Sequence, residues 1–154
     1  QDMTPLEKLT SLEYLEIHGN AVHSLTPIQA LENLTMFIAS NNVIEDATAL
    51  KNLHKLTFVN LSENPLESID FAKGLSNLDR LQISDTNVSD LTPLANTKNL
   101  YYLDIRGTKV TSVQPLVGLT NLKYVLLNKD TVEDWTLLEK DGGPIISEIT
   151  ILAE

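Results

Sequence analysis

The sequence predicts an α/β fold: a right-handed solenoid with a parallel β-sheet on its concave face and short helical or 3₁₀ turns on its convex face. Three observations lead to this prediction. A unit of 22 residues occurs six times without insertion or deletion, each unit holds one short alternating apolar segment, and a turn-start signal follows each segment. A unit this short cannot bury its apolar face alone, so neighbouring units must stack around a shared core.

Columns of apolar residues define the repeat. The first leucine of the unit stands at Leu9, Leu31, Leu53, Leu75 and Leu119, with Thr97 in its place in the fifth unit. The column three residues later is leucine throughout: Leu12, Leu34, Leu56, Leu78, Leu100 and Leu122. The repeats therefore occupy residues 9–140, between a partial repeat at 1–8 and a different segment at 141–154.

Each unit contains one predicted strand. Apolar and polar residues alternate over 14–17, which is the period of a half-buried strand, and the equivalent segments are 36–39, 58–61, 80–83, 102–105 and 124–127. A turn residue follows each strand: Asn20, Asn42, Asn64, Thr86, Thr108 and Asp130. A buried side chain there can hydrogen-bond the backbone groups of the bend, which are costly to bury unpaired.

The second half of each unit begins with a helix-start signal. Three capping boxes are predicted: Thr4 with Glu7, Thr26 with Gln29, and Thr136 with Glu139. The repeat position two places before that of Thr26 holds a capping residue in every unit. These residues are Ser24, Asp46, Ser68, Asp90, Ser112 and Asp134. Because five or six residues remain before the next leucine, we expect a single short turn in this half.

The two ends of the array differ from its repeats. Residues 3–6 align with 25–28, so the chain opens within a repeat. We expect that it was cut from a longer protein; the alternative is that residues 1–8 serve as a cap. After the turn at 141–144, residues 145–152 predict a strand, with Ile149 and Ile151 on one face, that pairs with repeat six and covers the sheet edge. Trp135 is expected to cover the last core layer.

The repeat resembles that of the leucine-rich repeat family. The family pattern L-x-x-L-x-L-x-x-N-x-L is matched by Leu12, Leu15, Ile17, Asn20 and Val22. The period of 22 residues and the T-P-[LI] turn at 26–28 and 92–94 are similar to those of the bacterial internalins and of the leucine-rich regulatory subunit of the type-one protein phosphatase. The resemblance covers residues 3–140 and implies the solenoid, but the residues that carry it are structural.

Nothing in the sequence points to an enzyme or to a cofactor. The chain has no cysteine, and His18, His23 and His54 occupy different repeat positions, so we predict no metal site. It contains no phosphate-binding loop, zinc-protease motif or nucleophile elbow. A net charge of -10 disfavours nucleic acid as a partner. No apolar run approaches the roughly 18 residues that a membrane span needs.

The outward columns of the predicted sheet carry the functional prediction. If Leu15 and Ile17 point into the core, residues 14, 16 and 18 point out. The first outward column, here called the outward ladder, consists of Tyr14, Met36, Phe58, Arg80, Tyr102 and Tyr124. Such residue types are enriched in the centres of protein interfaces. Four residues of the neighbouring outward columns complete the predicted partner-binding site: Ile38, Asp104, Arg106 and Leu126.

Two functions fit this arrangement. The first is an internalin-like bacterial module, extracellular or at the cell surface, that binds a protein partner on the concave sheet. The second is a cytoplasmic regulatory scaffold similar to the phosphatase subunit, which would hold an enzyme on the same face. The ladder could also serve the packing of its own sheet, take up another kind of ligand, or be covered by a flanking domain.

Overall fold

The predicted solenoid is confirmed in the computed structural model, which describes residues 2–139 and 143–147. That part of the chain forms one parallel sheet of seven strands in sequence order. The strands are β1 (Tyr14–Glu16), β2 (Met36–Ile38), β3 (Phe58–Asn60), β4 (Arg80–Gln82), β5 (Tyr102–Asp104), β6 (Tyr124–Leu126) and β7 (Ile145–Ser147). Each of the first six ends one residue before its predicted boundary.

Short 3₁₀ turns form the convex side. Within the described residues they are Thr4–Lys8, Thr26–Ile28, Thr48–Leu50, Asp70–Gly74, Thr92–Leu94, Gln114–Leu116 and Trp135–Leu138. Proline at the start of the turn, as Pro27 and Pro93 show, costs no hydrogen bond because that N–H would have no helical partner. No helix in the described ranges is long and apolar enough to cross a membrane.

The predicted capping boxes are wrong, whereas the column of serine and aspartate caps is confirmed at five of its six positions, with Asp134 as the exception. Each threonine of a box lies inside its turn and not at the N-cap, so it cannot accept a bond from the third residue of the turn. At Thr4 and Thr26 the residue two places earlier caps the turn instead, whereas Asp134 accepts the hydroxyl of Ser112 and the N–H of Val113. Asp46 Oδ1 accepts the N–H of Thr48 and Asp90 Oδ1 accepts that of Thr92, both at 2.8 Å.

Leucine columns fill the space between the sheet and the turns. In the central repeats Leu56, Leu78 and Leu100 are fully buried. Thr97, which replaces a leucine, donates its hydroxyl to the carbonyl oxygen of Leu94 at 2.7 Å, so the substitution leaves no unpaired polar atom. Burial is weaker at the N-terminal end, where Leu9 is 46% exposed, because β1 has a described strand on one side only.

We predict that this end frays first. Amide hydrogens of residues 2–17 should exchange with solvent faster than those of repeats three to five. The stability of a stacked array is close to a sum of neighbour contacts, and β1 has one neighbour where β3 to β5 have two. Hydrogen exchange followed by mass spectrometry measures this. Equal protection along the array would show that residues 2–8 cap the end sufficiently.

Asparagine side chains hold the bends that follow the first strands. Asn42 Nδ2 donates to three backbone carbonyls at 3.0–3.1 Å, those of Ile17, Ala39 and Ser40. Its Oδ1 accepts two backbone N–H groups, those of Asn20 at 3.0 Å and Val22 at 2.8 Å. The predicted role of this column is therefore confirmed at Asn42. In later repeats Thr86 and Thr108 each donate to one carbonyl, three residues back.

A second asparagine column ties each repeat after the first, except the third, to the one before it. Side-chain amides donate to backbone carbonyls 23 residues earlier, at 2.8–2.9 Å: Asn33 to Thr10, Asn77 to His54, Asn99 to Ser76 and Asn121 to Lys98. This column was not predicted from the sequence. Its signal is the spacing of 22 among the last three asparagines.

The third repeat departs from its neighbours in the convex turn. Asp70-Phe71 replaces the usual Thr-Pro, and the turn lengthens to Asp70–Gly74. Phe71 is buried, and Lys73 Nζ lies 2.7 Å from Asp70 Oδ1. A Cβ atom added at Gly74 would lie 2.7 Å from the carbonyl oxygen of Lys51, so only glycine fits this close approach.

Gly74→Ala should therefore lower the free energy of unfolding by about 1–3 kcal/mol, the usual cost of overpacking. Gly118 is the matched control, since it occupies the same repeat position and an added Cβ would meet only Lys98 Nζ, at 3.8 Å. We expect Gly118→Ala to be close to neutral. Denaturant unfolding of both variants checks the pair, and an equal loss in the two would refute the steric explanation.

The C-terminal segment adds a strand, as predicted for its first part. β7 pairs in parallel with β6, with Val125 opposite Ile146. The predicted strand residues 148–152, including Ile149 and Ile151, lie outside the described residues. Trp135 packs half-buried against the last core layer, in agreement with its predicted role, and Lys129 Nζ lies 4.1 Å from the centre of its ring.

Candidate protein-binding surface

The strand register aligns the outward ladder across the sheet. Tyr14 pairs with Met36, and each further member pairs with the next, up to Tyr102 with Tyr124. Tyr14 is 47% exposed and Tyr124 is 37% exposed, while Met36, Phe58 and Tyr102 are half-buried and Arg80 is exposed. A row of apolar and aromatic side chains, interrupted by Arg80 in repeat four, therefore faces outward from repeat one to repeat six.

Two members of the predicted site are not exposed. Asp104 is 2% exposed and Leu126 is 8% exposed, so the expectation that both offer their side chains to a partner is wrong. Alternation along a strand fixes the direction of a side chain but not what covers it. Asp104 is covered by its ion pair with Arg106, and Leu126 belongs to a strand that is flanked on both sides by β5 and β7. Ile38 is half-buried beside Met36.

Arg106 and Asp104 form a two-pronged ion pair. Nε donates to Asp104 Oδ1 at 2.9 Å and Nη2 donates to Oδ2 at 2.6 Å. The backbone N–H of Arg106 also donates to Oδ1, at 3.2 Å. Hydrogen bonding to Asp104 raises the pKa of Arg106, because the carboxylate stabilises the charged guanidinium. The pair therefore fixes the orientation of Arg106.

At the N-terminal end of the ladder, three polar side chains of one strand face bond to one another. The hydroxyl of Tyr14 donates to the carboxylate of Glu16, and His18 Nδ1 lies 2.9 Å from Glu16 Oε1. The bond from Tyr14 stabilises the ionised carboxylate and so lowers the pKa of Glu16, and it stabilises the protonated phenol and so raises the pKa of Tyr14. All three side chains are exposed.

Tyr101 was not among the site residues predicted from the sequence. This residue lies one position before β5, outside the three outward columns, yet its ring packs edge-on against that of Tyr124 with centroids 5.4 Å apart. A hydrogen bond with Tyr124 raises the pKa of Tyr101. Ile145, 60% exposed, pairs with Tyr124 on the other side. The two tyrosines and Ile145 thus form an exposed apolar patch, here called the tyrosine patch.

The remaining candidate chemistry stays dispersed. His18, His23 and His54 lie in different parts of the first three repeats. Throughout residues 2–139 and 143–147, no three His, Cys, Asp or Glu side chains converge as ligands of a metal ion would. Among the same residues, every buried side-chain nitrogen or oxygen has a hydrogen-bond partner. The features that the described surface presents for binding are therefore its aromatic rings and a few charged side chains held in place by ion pairs.

Similarity to known proteins lies in structure. No protein-family model and no curated protein matches the chain. The internalin inlF of Listeria monocytogenes superposes with a TM-score of 0.80 at 34% identity, over 86% of this chain and 39% of that one. The internalin C2 of the same organism gives a TM-score of 0.79 at 26% identity, over 82% and 56%.

A third solved structure shares the fold at lower identity. The functional domain of Listeria monocytogenes InlJ gives a TM-score of 0.78 at 22% identity, over 90% of this chain and 29% of that one. The chain spans less than two thirds of each of these three proteins. The parallel sheet, the repeat of 22 residues and these neighbours agree, and the protein is a leucine-rich repeat protein of the 22-residue class, similar to the bacterial internalins.

Proposed function

We propose that the protein is a non-catalytic module that binds a protein partner on its concave sheet. The observation that carries the proposal is the outward ladder, whose apolar members flank Arg80 and whose last member, Tyr124, belongs to the tyrosine patch. Contiguous exposed apolar surface in a soluble domain usually marks a contact site. The likeness to internalins supports a secreted or surface-attached bacterial protein, and we propose this location for it.

The chemistry of the surface suits a protein partner. Rings such as Tyr102 and Tyr124 offer a large contact area at a low cost in side-chain entropy, and they dominate the binding energy of many interfaces. Phe58, Met36 and Ile38 form a second apolar group two to three strands away from Tyr102. Arg80 lies between the two groups with its Nε 3.2 Å from Asp79. A partner with two apolar anchors matches this pattern.

We predict that Tyr102→Ala and Phe58→Ala weaken binding of such a partner about thirtyfold each, the loss expected for an aromatic hot spot. Binders are first selected from a displayed peptide library with the intact protein as bait, and calorimetry then compares the variants. Both rings lie outside the core, so the melting temperature should hardly change. Gln29→Ala and Lys51→Ala, on the convex side, are the controls and should bind like the wild type.

The proposal is wrong if the convex controls lose affinity and the ladder variants keep it. The proposal also fails if the library yields no peptide whose binding is weakened by substitutions in the ladder. A melting temperature that falls together with affinity in Tyr102→Ala would indicate that the ring supports the sheet, which is the packing role that the sequence left open.

A further inference from the structure

The ion pair on the concave sheet poses a question of stability. Among residues 2–139 and 143–147, Asp104 is the only charged residue that is buried. Removing a carboxylate from water is costly, and apolar residues usually stabilise such a site as well as an ion pair does. Equivalent positions elsewhere in the sheet hold Ile38 and Leu126, so the fold accepts apolar residues there. The pair therefore calls for a role other than stability.

The geometry leaves part of Arg106 available. Asp104 engages Nε and one N–H of Nη2, and the arginine side chain is 27% exposed. No acceptor in the described part of the chain lies within hydrogen-bond distance of Nη1. A guanidinium held on one edge presents its remaining donors in a fixed plane. Through its bonds to Asp104, which shares the outward face of β5 with Tyr102, the guanidinium lies on the same side of the sheet as the outward ladder.

The local charge determines which acceptor suits these donors. Asp104 already neutralises Arg106, and a second carboxylate stands close by. The backbone N–H of Asp85 donates to the carbonyl oxygen of Arg106 at 2.8 Å, and a Cβ added at Gly107 would lie 2.2 Å from Asp85 Oδ1. One carboxylate on the guanidinium, a second beside the next residue, Gly107, and a net charge of -10 repel an anionic group. A neutral oxygen is not repelled.

We propose that Arg106, positioned by Asp104, donates its free N–H groups to a backbone carbonyl oxygen of a partner segment that lies on the outward ladder beside Tyr102. Asp104 is then a positioning residue that does not touch the partner. Such a contact fixes the register of the segment against the rings, because the bond forms only when a carbonyl stands opposite Arg106. This inference rests on the proposed function.

The positioning can be tested without a partner. The chain has two arginines, so an arginine Nε–H NMR spectrum contains two signals, and Arg80 is the internal control. Arg80 Nε lies 3.2 Å from the exposed Asp79. We expect a sharp, slowly exchanging signal from Arg106 and a rapidly exchanging one from Arg80. Asp104→Asn should abolish the difference. Equal exchange of the two signals in the wild type would overturn the positioning role.

Binding then tests the acceptor, with the selected ladder peptides as probes. Arg106→Lys and Asp104→Asn should each lower the affinity for the peptides about tenfold or more. A lysine lacks the planar set of donors that a guanidinium has, and an asparagine at 104 does not hold the guanidinium in place. If the acceptor were anionic, Asp104→Asn would instead strengthen binding, since it removes a negative charge beside the donor. That result would overturn the proposal, as would unchanged affinity in both variants.

The outcomes separate this inference from the proposed function. Peptides that depend on Tyr102 and Phe58 but not on Arg106 would leave the concave site standing and refute the arginine contact. If no selected peptide loses affinity when ladder residues are substituted, both the arginine contact and the proposed function are refuted. If Asp104→Asn does not fold, the double variant Asp104→Asn/Arg106→Gln, which places a neutral pair in the same space, replaces it, and peptides that still bind this variant at full strength would overturn the proposal.

Discussion

Leu78→Ala should lower the free energy of unfolding by about 2–5 kcal/mol. Leu78 is fully buried in the fourth repeat and lies in the column that is leucine in every unit. The loss combines the transfer free energy of the removed methyl groups with the cost of the cavity that the two neighbouring repeats cannot close. Urea unfolding followed by circular dichroism measures it, with the slope of the transition as a check on two-state behaviour.

Leu12→Ala is the matched control. Leu12 belongs to the same column but lies in the first repeat and is only partly buried. Its removal should cost clearly less, because part of the side chain already contacts water and the end of the array can relax. A loss below about 1 kcal/mol for Leu78, or equal losses at both positions, would contradict the assigned core.

Asn42→Ala should destabilise the protein by about 3 kcal/mol, although it removes only a small polar side chain. Five hydrogen bonds to the backbone are lost, and the N–H groups of Asn20 and of the buried Val22 lose their only partner among the described residues. The carbonyl oxygens of Ile17, Ala39 and Ser40 each keep a second donor. An unpaired buried backbone group costs about 1–3 kcal/mol, and water can reach those nearer the surface. Thermal and denaturant unfolding should agree on the loss.

Asn20→Ala gives the comparison for the same repeat position. Asn20 is exposed, and its side chain donates to two carbonyls, those of Ile17 and His18. Water can replace both bonds, so the expected cost is about 1 kcal/mol or less. Similar losses at Asn20 and Asn42 would show that the column acts through turn propensity and not through buried hydrogen bonds.

Much of the fold could be predicted because the same apolar and turn positions recur in six repeats. A leucine at 78 carries little information alone, but its equivalents share one environment, and the strands lie within one residue of their predicted ends. Capping was harder to predict. The spacing of Thr26 and Gln29 matches a capping box, yet the turn begins at Thr26, so that residue lies inside it. A pattern of residue types does not state where a turn starts.

The site could be predicted only in outline. Alternation along a strand places Tyr102 and Asp104 on the same face, and that direction is a local property of the backbone. Burial is not a local property, because the exposure of Asp104 depends on the conformation of the Arg106 side chain. Tyr101 was missed for a similar reason: its ring reaches Tyr124 from a position outside the strand. Such contacts depend on how side chains from different parts of the chain pack together.

The constant strand register determines how the length of this protein can change. Every junction from β1 to β6 has the same offset of 22 residues, as Phe58 with Arg80 and Tyr102 with Tyr124 illustrate. In-frame duplication or loss of one whole internal repeat therefore recreates an existing junction. The last junction differs, since Tyr124 pairs with Ile145 at an offset of 21 residues. Recombination between the repeats of the gene can thus change the number of strands in the concave surface. The final strand must be inherited together with repeat six, because its offset is different.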